Sequence, residues 1–573
     1  MPLTLKNGQV TSWSVRKIAV VGPGIVGMPM AALLAHARIK EGTDEAARVV
    51  VVQRNSPTSG WKVEAINEGR SPIGGVEPDL DRVVKESVAA GILSASHHYE
   101  ALADADMILI SVQTDKKGVE PDYGPLFEAL TGIAEALKKK PAGNVPVIVF
   151  ESTLAPSSMA TVVREHFAQH GLIEGKDILL GNSPNRVMPG RLVERVAASD
   201  KIIAGLHPET PRLIQKIYSQ IVTKGVLHPT NSLTAEVVKT LENAYRDVRI
   251  AYAAEVVRFC DDQNIDFFAL RDAVNTRARQ MDTASADAQA VPSGGLLVPM
   301  LGVGGHCLPK DGILLWWRAL ESKADTSHSL ILESRRVNDE SPAATLALAE
   351  NKFGTLSGRR VALLGAAYRG NSEDTRNSPT LAFAKLLRTR GVAVTVHDPY
   401  VYAHDANLRH YGFTDAFTRD LAAAVKDAEV VVLCTPHKVY SDGWDELRAM
   451  APALRHVVDA CNLLRPEQVT AHGLGYVGIG RGRRAPDTAL VEHVFQGFEA
   501  VERGVANEVN QLCEFLNQRY AATEFNRVKF TEVQRIAGTC PTGCAIVDAG
   551  QVTNGATNAI GFNSRLVARA LGD

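Results

Sequence analysis

The sequence predicts an α/β protein: two Rossmann-like doubly wound domains joined by a long central helix, with a C-terminal extension. Three observations predict it. The turn Gly22-Pro23-Gly24-Ile25-Val26-Gly27 follows an apolar strand pattern at 17–22 and opens a helical pattern at 28–37. A second apolar strand pattern ending in glycine begins at Arg359. Between them, residues 233–261 hold neither Gly nor Pro and carry apolar residues at helical spacing. The 573 residues suit three or four units. We place them at 1–230, 231–340, 341–484 and 485–573.

The elements follow in order. In the first unit, residues 48–52, 107–112 and 145–150 are near-continuous apolar runs, as expected for parallel strands covered on both faces. Ligands of such a sheet gather at the carboxyl ends of its strands. Gly22 permits the tight turn, Gly24 lets a pyrophosphate approach the backbone, and Gly27 lets helix pack on strand. The helix N-terminus then favours the anion. The helix at 233–261 and a second at 329–338 join two domains or supply an oligomer interface. The second α/β unit has strands at 359–365, 392–397 and 430–435 and a helix at 379–390. It lacks the GxGxxG pattern, so its ligand need not be a dinucleotide. Residues 491–520 read as helix, and the stretch from Gly538 is rich in Gly, Asn, Thr and Ala.

Charge narrows the partners. Lys plus Arg total 62 and Asp plus Glu 64, a formal charge of −2, which gives no reason to expect nucleic acid or an anionic membrane. No apolar run approaches the ~18 residues of a membrane span. The seven cysteines are odd in number and sparse, which does not suit a disulfide framework and suits a reducing cytoplasm. Cys540 and Cys544 have no second ligand pair nearby, so no metal is expected.

The densest chemical signal is Gly302-Val-Gly304-Gly-His-Cys307-Leu-Pro-Lys-Asp311. Glycines before a cysteine let a ligand come close, a nearby His or Lys favours the thiolate, and Asp311 is a candidate base. A buried cysteine in a glycine turn is the plainer alternative. Lys239 and Asn243 lie four residues apart on one helical face, a pair that can steady an oxyanion or simply line a solvated face. Glu151-Ser-Thr153 closes a strand of the first sheet, where active-site groups or an ordinary helix cap are placed.

Together these segments resemble the UDP-glucose/GDP-mannose dehydrogenase family, the nucleotide-sugar 6-dehydrogenases. The ordered matches are Gly22 to Gly27, Glu151-Ser-Thr153, Ser183-Pro-Asn185-Arg186, Lys239-x3-Asn243, Gly304 to Asp311, and Gly365 to Pro379. The resemblance runs from about Lys17 to Arg484 and leaves the tail uncovered. It implies an NAD-dependent, four-electron oxidation of a sugar C6 alcohol to a carboxylate. Cys307 is then the nucleophile, passing through a thiohemiacetal and a thioester. Lys239 and Asn243 stabilise oxyanions, and Asp311 with Thr153 positions or activates water. Gly22, Gly24, Ile25, Val26, Gly27, Gln53, Arg54, Thr114 and Thr153 are implied for the cofactor. Asn185, Arg186, Lys239, Asn243, Gly304, Tyr368, Arg369 and Arg376 are implied for the UDP-sugar, so that residues 341–484 would be its binding domain. The family also suggests a homodimer or higher oligomer through the long helix.

Two departures stand out. The family commonly carries Glu where Asn185 stands, so hydrolysis leans on Asp311 or the chemistry is altered. It commonly carries Asp at the second strand end, where Gln53 precedes Arg54. That loss removes a repulsion against a 2′-phosphate and keeps NADP open beside NAD. The Gly-Gly-His-Cys sequence at 304–307 points to a UDP-N-acetylhexosamine substrate, with UDP-glucose as the second choice. A non-catalytic nucleotide-sugar sensor or scaffold, with the tail binding a partner, is the reading from another class.

Overall fold

A computed structural model describes residues 3–6, 9–57, 59–74, 77–141, 143–186, 190–277, 295–540, 543–552 and 561–572. Eight strands form the first sheet: β1 (Lys17–Val21), β2 (Arg48–Val52), β3 (Leu93–Ser96), β4 (Met107–Ile110), β5 (Val147–Phe150), β6 (Leu179–Asn182), β7 (Lys201–Gly205) and β8 (Leu227–Asn231). Their order is β8-β7-β6-β5-β4-β1-β2-β3. Every residue of β4 and β5 is buried, which is why both read as unbroken apolar runs. The order reverses between β1 and β4, and there α1 (Gly27–His36) leaves the glycine turn. The sheet is not wholly parallel. β7 runs antiparallel to β6, and β8 is parallel to β7.

The second sheet has six parallel strands: β9 (Arg360–Leu364), β10 (Ala393–His397), β11 (Phe417–Thr418), β12 (Val430–Leu433), β13 (His456–Asp459) and β14 (Gly475–Gly478). Their order, β11-β10-β9-β12-β13-β14, places a switch point between β9 and β12. At the end of β10, Asp398 accepts from the backbone N–H groups of Ala366 and Ala367 at 2.7 and 3.0 Å and meets His437 at 3.0 Å. This carboxylate stands where a dinucleotide domain offers an acid to a ribose, but it is turned inward on the chain's own backbone. The crevice is therefore built differently from that of the first sheet.

Helix α2 (Ser232–Asp262) joins the two sheets. Asn231 caps it, its side chain accepting from the Thr234 N–H at 2.9 Å. Helices α3 (Leu308–Glu321) and α4 (Leu330–Asp339) pack along it. The tail adds α5 (Thr488–Tyr520), α6 (Phe530–Ala537) and α7 (Arg565–Leu571). These share one apolar core with α2, including Tyr252, Val505, Leu512, Ile536 and Leu566.

From Ser232 to Asp261 no residue of α2 is exposed, because neighbouring helices of the same chain pack along it. Capping is exchanged between tail and body. Glu508 of α5 accepts from the Leu330 N–H at 2.9 Å and from the Ser329 hydroxyl at 2.6 Å, at the start of α4. Glu255 of α2 accepts from the Arg565 N–H at 2.9 Å and from the Ser564 hydroxyl at 2.6 Å, at the start of α7. Each fully buried Leu or Val in this seam contributes about 1.5–3 kcal/mol, and such caps add about 1 kcal/mol each. Among the described residues no helix is long and apolar enough to cross a membrane.

Candidate active site

The cysteine loop lies between the two sheets and is fastened to both. On the side of the first sheet, His306 Nε2 lies 2.9 Å from the Thr114 carbonyl oxygen, beyond the end of β4. The Thr114 hydroxyl donates to the Thr153 carbonyl at 2.6 Å, which ties the ends of β4 and β5 together. On the side of the second sheet, the Gly305 N–H donates to the Arg376 carbonyl at 2.8 Å, and Asn377 Nδ2 donates to the Gly305 carbonyl at 2.8 Å. Gly305 has φ +87°, and a Cβ on Gly304 would stand 2.5 Å from Tyr368 Cβ. Both glycines are needed where this loop meets the second domain.

Cys307 closes the loop at the N-cap of α3, and Asp311 follows one turn later, fully buried. Asn243 Nδ2 donates to Asp311 Oδ2 at 2.6 Å, while Lys310 Nζ holds Oδ1 at 2.6 Å. Lys239 lies one turn before Asn243 on α2, and its charge acts on Cys307. The structure thus brings Cys307, Lys239, Asn243 and Asp311 together. Lys310 is a member that sequence reasoning passed over; its place between the cysteine and Asp311 was the available signal. Burial opposes the Lys310 charge, and Asp311 outweighs it, so the ammonium stays protonated.

One electrostatic expectation is corrected. The resting cysteine is not biased toward thiolate. Burial first, then the Asp311 carboxylate, pushes the Cys307 thiol above its ordinary range, despite Lys239, Lys310 and Arg376. His306 adds no positive charge, because burial and Lys310 hold its ring below the usual histidine range.

The glycine turn after β1 fits a dinucleotide. Gly22 has φ +92°, a Cβ on Gly27 would lie 2.1 Å from the Gly22 carbonyl oxygen, and a Cβ on Gly24 meets nothing within 4 Å. Two glycines thus fix the turn, and the third leaves open space at the start of α1 for a phosphate. Ile25 is exposed and Val26 half-buried beside it. At the end of β2, Gln53 Nε2 donates to Ser59 Oγ at 2.9 Å, and Arg54 pairs with Glu128. The cation considered for a 2′-phosphate is therefore already engaged by a carboxylate.

The remaining candidates divide. Tyr368 and Arg369 lie half-buried on the loop after β9. Arg376 grips Asp374 through Nε–Oδ1 at 2.9 Å and Nη2–Oδ2 at 2.6 Å, so a phosphate would have to compete for that fork. Asn185 is buried beyond the end of β6, its backbone N–H donating to the Glu151 carbonyl at 3.3 Å. Arg186, expected at the substrate, instead turns its guanidinium into the protein, where Glu242 and the tail receive it. Glu151 is likewise occupied, by Lys201 Nζ at 2.6 Å and by the Tyr218 hydroxyl.

Comparison with known proteins agrees with this architecture. Residues 16–222 match the NAD binding domain of the UDP-glucose/GDP-mannose dehydrogenase family, 233–340 its central domain and 362–466 its UDP binding domain. The UDP-N-acetyl-D-mannosamine dehydrogenase of Pyrococcus horikoshii is 32% identical over 474 residues, covering 81% of this chain and 99% of that protein. The NDP-N-acetyl-D-galactosaminuronic acid dehydrogenase of Ralstonia nicotianae is 30% identical over 436 residues, covering 74% and 92%. The crystal structure of an NDP-N-acetyl-D-galactosaminuronic acid dehydrogenase from Methanosarcina mazei Go1 superposes with a TM-score of 0.68 at 29% identity, covering 82% of this chain and 96% of that one. With its cofactor turn, cysteine loop and second switch point in the same order, the chain belongs to the UDP-glucose/GDP-mannose dehydrogenase family.

Proposed function

We propose that this chain oxidises the C6 alcohol of a UDP-N-acetylhexosamine to the carboxylate, with NAD as oxidant and Cys307 as covalent catalyst. The observation that carries the reading is the half-buried Cys307 beside the fully buried Asp311, whose carboxylate Asn243 holds at 2.6 Å, with Lys239 one turn away, on a loop fastened to both sheets. The relatives at 30% identity or more act, by their names, on N-acetylated sugar nucleotides, which supports the N-acetyl choice over glucose.

The Gly22–Gly27 turn would hold NAD, which would supply the oxidising power for both two-electron oxidations. The alcohol and water become the carboxylate, and two NAD become two NADH with release of three protons. The chain's own residues do the rest. Lys239 and Asn243 face the reacting carbon and favour negative charge on its oxygen. Cys307 Sγ adds to the aldehyde carbon as its proton leaves, forming a thiohemiacetal. Oxidation of that adduct leaves a thioester on Cys307. Water, oriented by Asp311 with Thr153, adds to the acyl carbon, and the thiolate departs. Because burial keeps the resting Cys307 neutral, the thiol has to lose its proton as it attacks. From the second domain, Tyr368, Arg369 and Arg376 would hold the nucleotide, Arg376 by exchanging its grip on Asp374 for phosphate oxygens.

Reduced-cofactor formation with a panel of UDP- and GDP-sugars tests the reading. Turnover is expected with UDP-N-acetylmannosamine or a related N-acetylhexosamine. A chain that binds these nucleotides and reduces no cofactor would be the sensor or scaffold instead.

A further inference from the structure

The C-terminal extension meets the body of the protein directly behind the candidate active site. Arg186 and Glu242 form an ion pair, Nη2–Oε1 2.6 Å, with side chains 1% and 4% exposed. Each stands next in sequence to a site residue: Arg186 follows Asn185, and Glu242 precedes Asn243, whose amide holds Asp311. One pair therefore joins two segments from different elements, the loop after β6 that carries Asn185 and the helix α2 that carries Asn243.

The pair is completed by the tail. Arg186 Nη1 donates to Thr539 Oγ1 at 2.9 Å, and Nη2 donates to the Ile536 carbonyl at 3.1 Å. The Thr539 hydroxyl in turn donates to that same carbonyl at 2.7 Å. These acceptors lie at the C-terminal end of α6, where the helix dipole favours a cation, and the Ile536 carbonyl also accepts from the Thr539 N–H at 3.1 Å. Burial opposes the Arg186 charge and Glu242 outweighs it, so the guanidinium stays charged and needs acceptors on more than one side. Further bonds seat the same stretch of tail on the first domain: Thr230 donates to Glu532 at 2.8 Å, and Asn231 Nδ2 donates to the Arg527 carbonyl at 2.8 Å.

We propose that the extension is a positioning element of the dehydrogenase: Thr539 and the Ile536 carbonyl hold Arg186 on Glu242, and through that pair set Asn185 and Asn243 for the reaction. This rests on the functional reading above for the roles of Asn185 and Asn243. A 1 Å misplacement of a reacting group is enough to cost about a hundredfold in rate, so one lost anchor should be legible in kcat.

The test uses the full chain with Thr539→Val, Thr539→Ser and Ser564→Ala. Ser564 seats α7 on Glu255, far from the pair in the tail, and Ser564→Ala loosens the extension without touching Arg186. Thr539→Val should lower kcat about tenfold and leave the KM for NAD unchanged, because the cofactor turn follows β1, three strands away from β6 in the sheet. Thr539→Ser should restore kcat. Ser564→Ala should lower the Tm without changing kcat. Hydrogen exchange of the amides at 183–186 should quicken in Thr539→Val alone. Unchanged kcat in Thr539→Val, or an equal loss in Ser564→Ala, would overturn the proposal. Unchanged exchange at 183–186 would do so whatever the activity. An unsubstituted chain inactive on every nucleotide sugar would overturn the functional reading first, a failure visible before any substitution is made.

Discussion

The Asn243 amide donates to the Asp311 carboxylate at 2.6 Å, across two helices that meet beside Cys307. The bond turns an exposed-face pattern on α2 into part of a buried site, because Asp311 is fully enclosed and its second oxygen is held by Lys310. Asn243→Ala leaves that carboxylate one donor short. We expect kcat to fall about tenfold to a hundredfold, with the larger share in the hydrolytic step. A rate like that of the unsubstituted enzyme would remove Asn243 from the site.

Cys307→Ser should abolish acid formation while the Tm moves little. A serine alkoxide is far harder to generate than a thiolate, and the volume change is small. Quantified uronate at the unsubstituted rate would exclude the covalent route.

The raised Cys307 thiol pKa sets a pH dependence. A thiol shifted upward remains protonated at neutral pH and yields thiolate only as pH climbs. Alkylation of Cys307 by iodoacetamide in the cofactor-free chain should therefore be slow at pH 7 and accelerate past the range of an ordinary thiol. Rapid labelling with a midpoint below that range would mean that Lys239 and Lys310 outweigh burial and Asp311.

Much of the fold was legible because buried parallel strands are written as apolar runs and the long helix as an unbroken periodic stretch. Arg48–Val52 and Val430–Leu433 illustrate the first and Ser232–Asp262 the second. β7 and β8 are harder to read because they carry the polar Lys201, His228 and Asn231, held by specific partners such as Glu151 and Asp200, and Pro229, which cannot donate to a ladder. In the site, the cysteine loop stood out by its glycines. The inward turn of Arg186 did not, because its partners Glu242, Ile536 and Thr539 lie far away in sequence, and the tail carries no motif that announces where it docks.

Cofactor choice turns on the end of β2. Gln53→Asp should tighten NAD about tenfold by accepting from the ribose hydroxyl, and should weaken NADP by charge repulsion. Arg54 pairs with Glu128, so Glu128→Gln should move NADP affinity in the opposite direction. Titration of both dinucleotides against the two variants checks this. Unchanged affinities would show that β2 does not reach the ribose.

Buried carboxylates make stability depend on pH. Burial pushes Glu508 up to about 7 and Glu236 up to about 8, from the usual 4.5. The folded chain therefore keeps protons that the unfolded chain releases, and stability falls as pH rises from about 4.5 to about 8. The contribution of each group to the unfolding free energy, read from urea titrations, should be higher near pH 5.5 than near pH 8.5 by about 1 kcal/mol or more. A midpoint rising over that window would contradict these assignments.

Asn185 stands where the family commonly carries a carboxylate. If thioester hydrolysis is limiting, reduced cofactor should appear in a burst, and Asn185→Glu should raise the steady rate, general-base help being worth roughly 10²–10⁴-fold. No burst and no gain would leave Asp311 as the base.

The most direct test is to count reduced cofactor against sugar consumed in a single-turnover reaction with UDP-N-acetylmannosamine, while following the mass of the peptide that contains Cys307. Two NADH are expected for each uronate, with a transient acyl adduct on Cys307 that is lost as acid appears. One NADH per sugar with release of an aldehyde, or acid formation with Cys307 unmodified throughout, would contradict this.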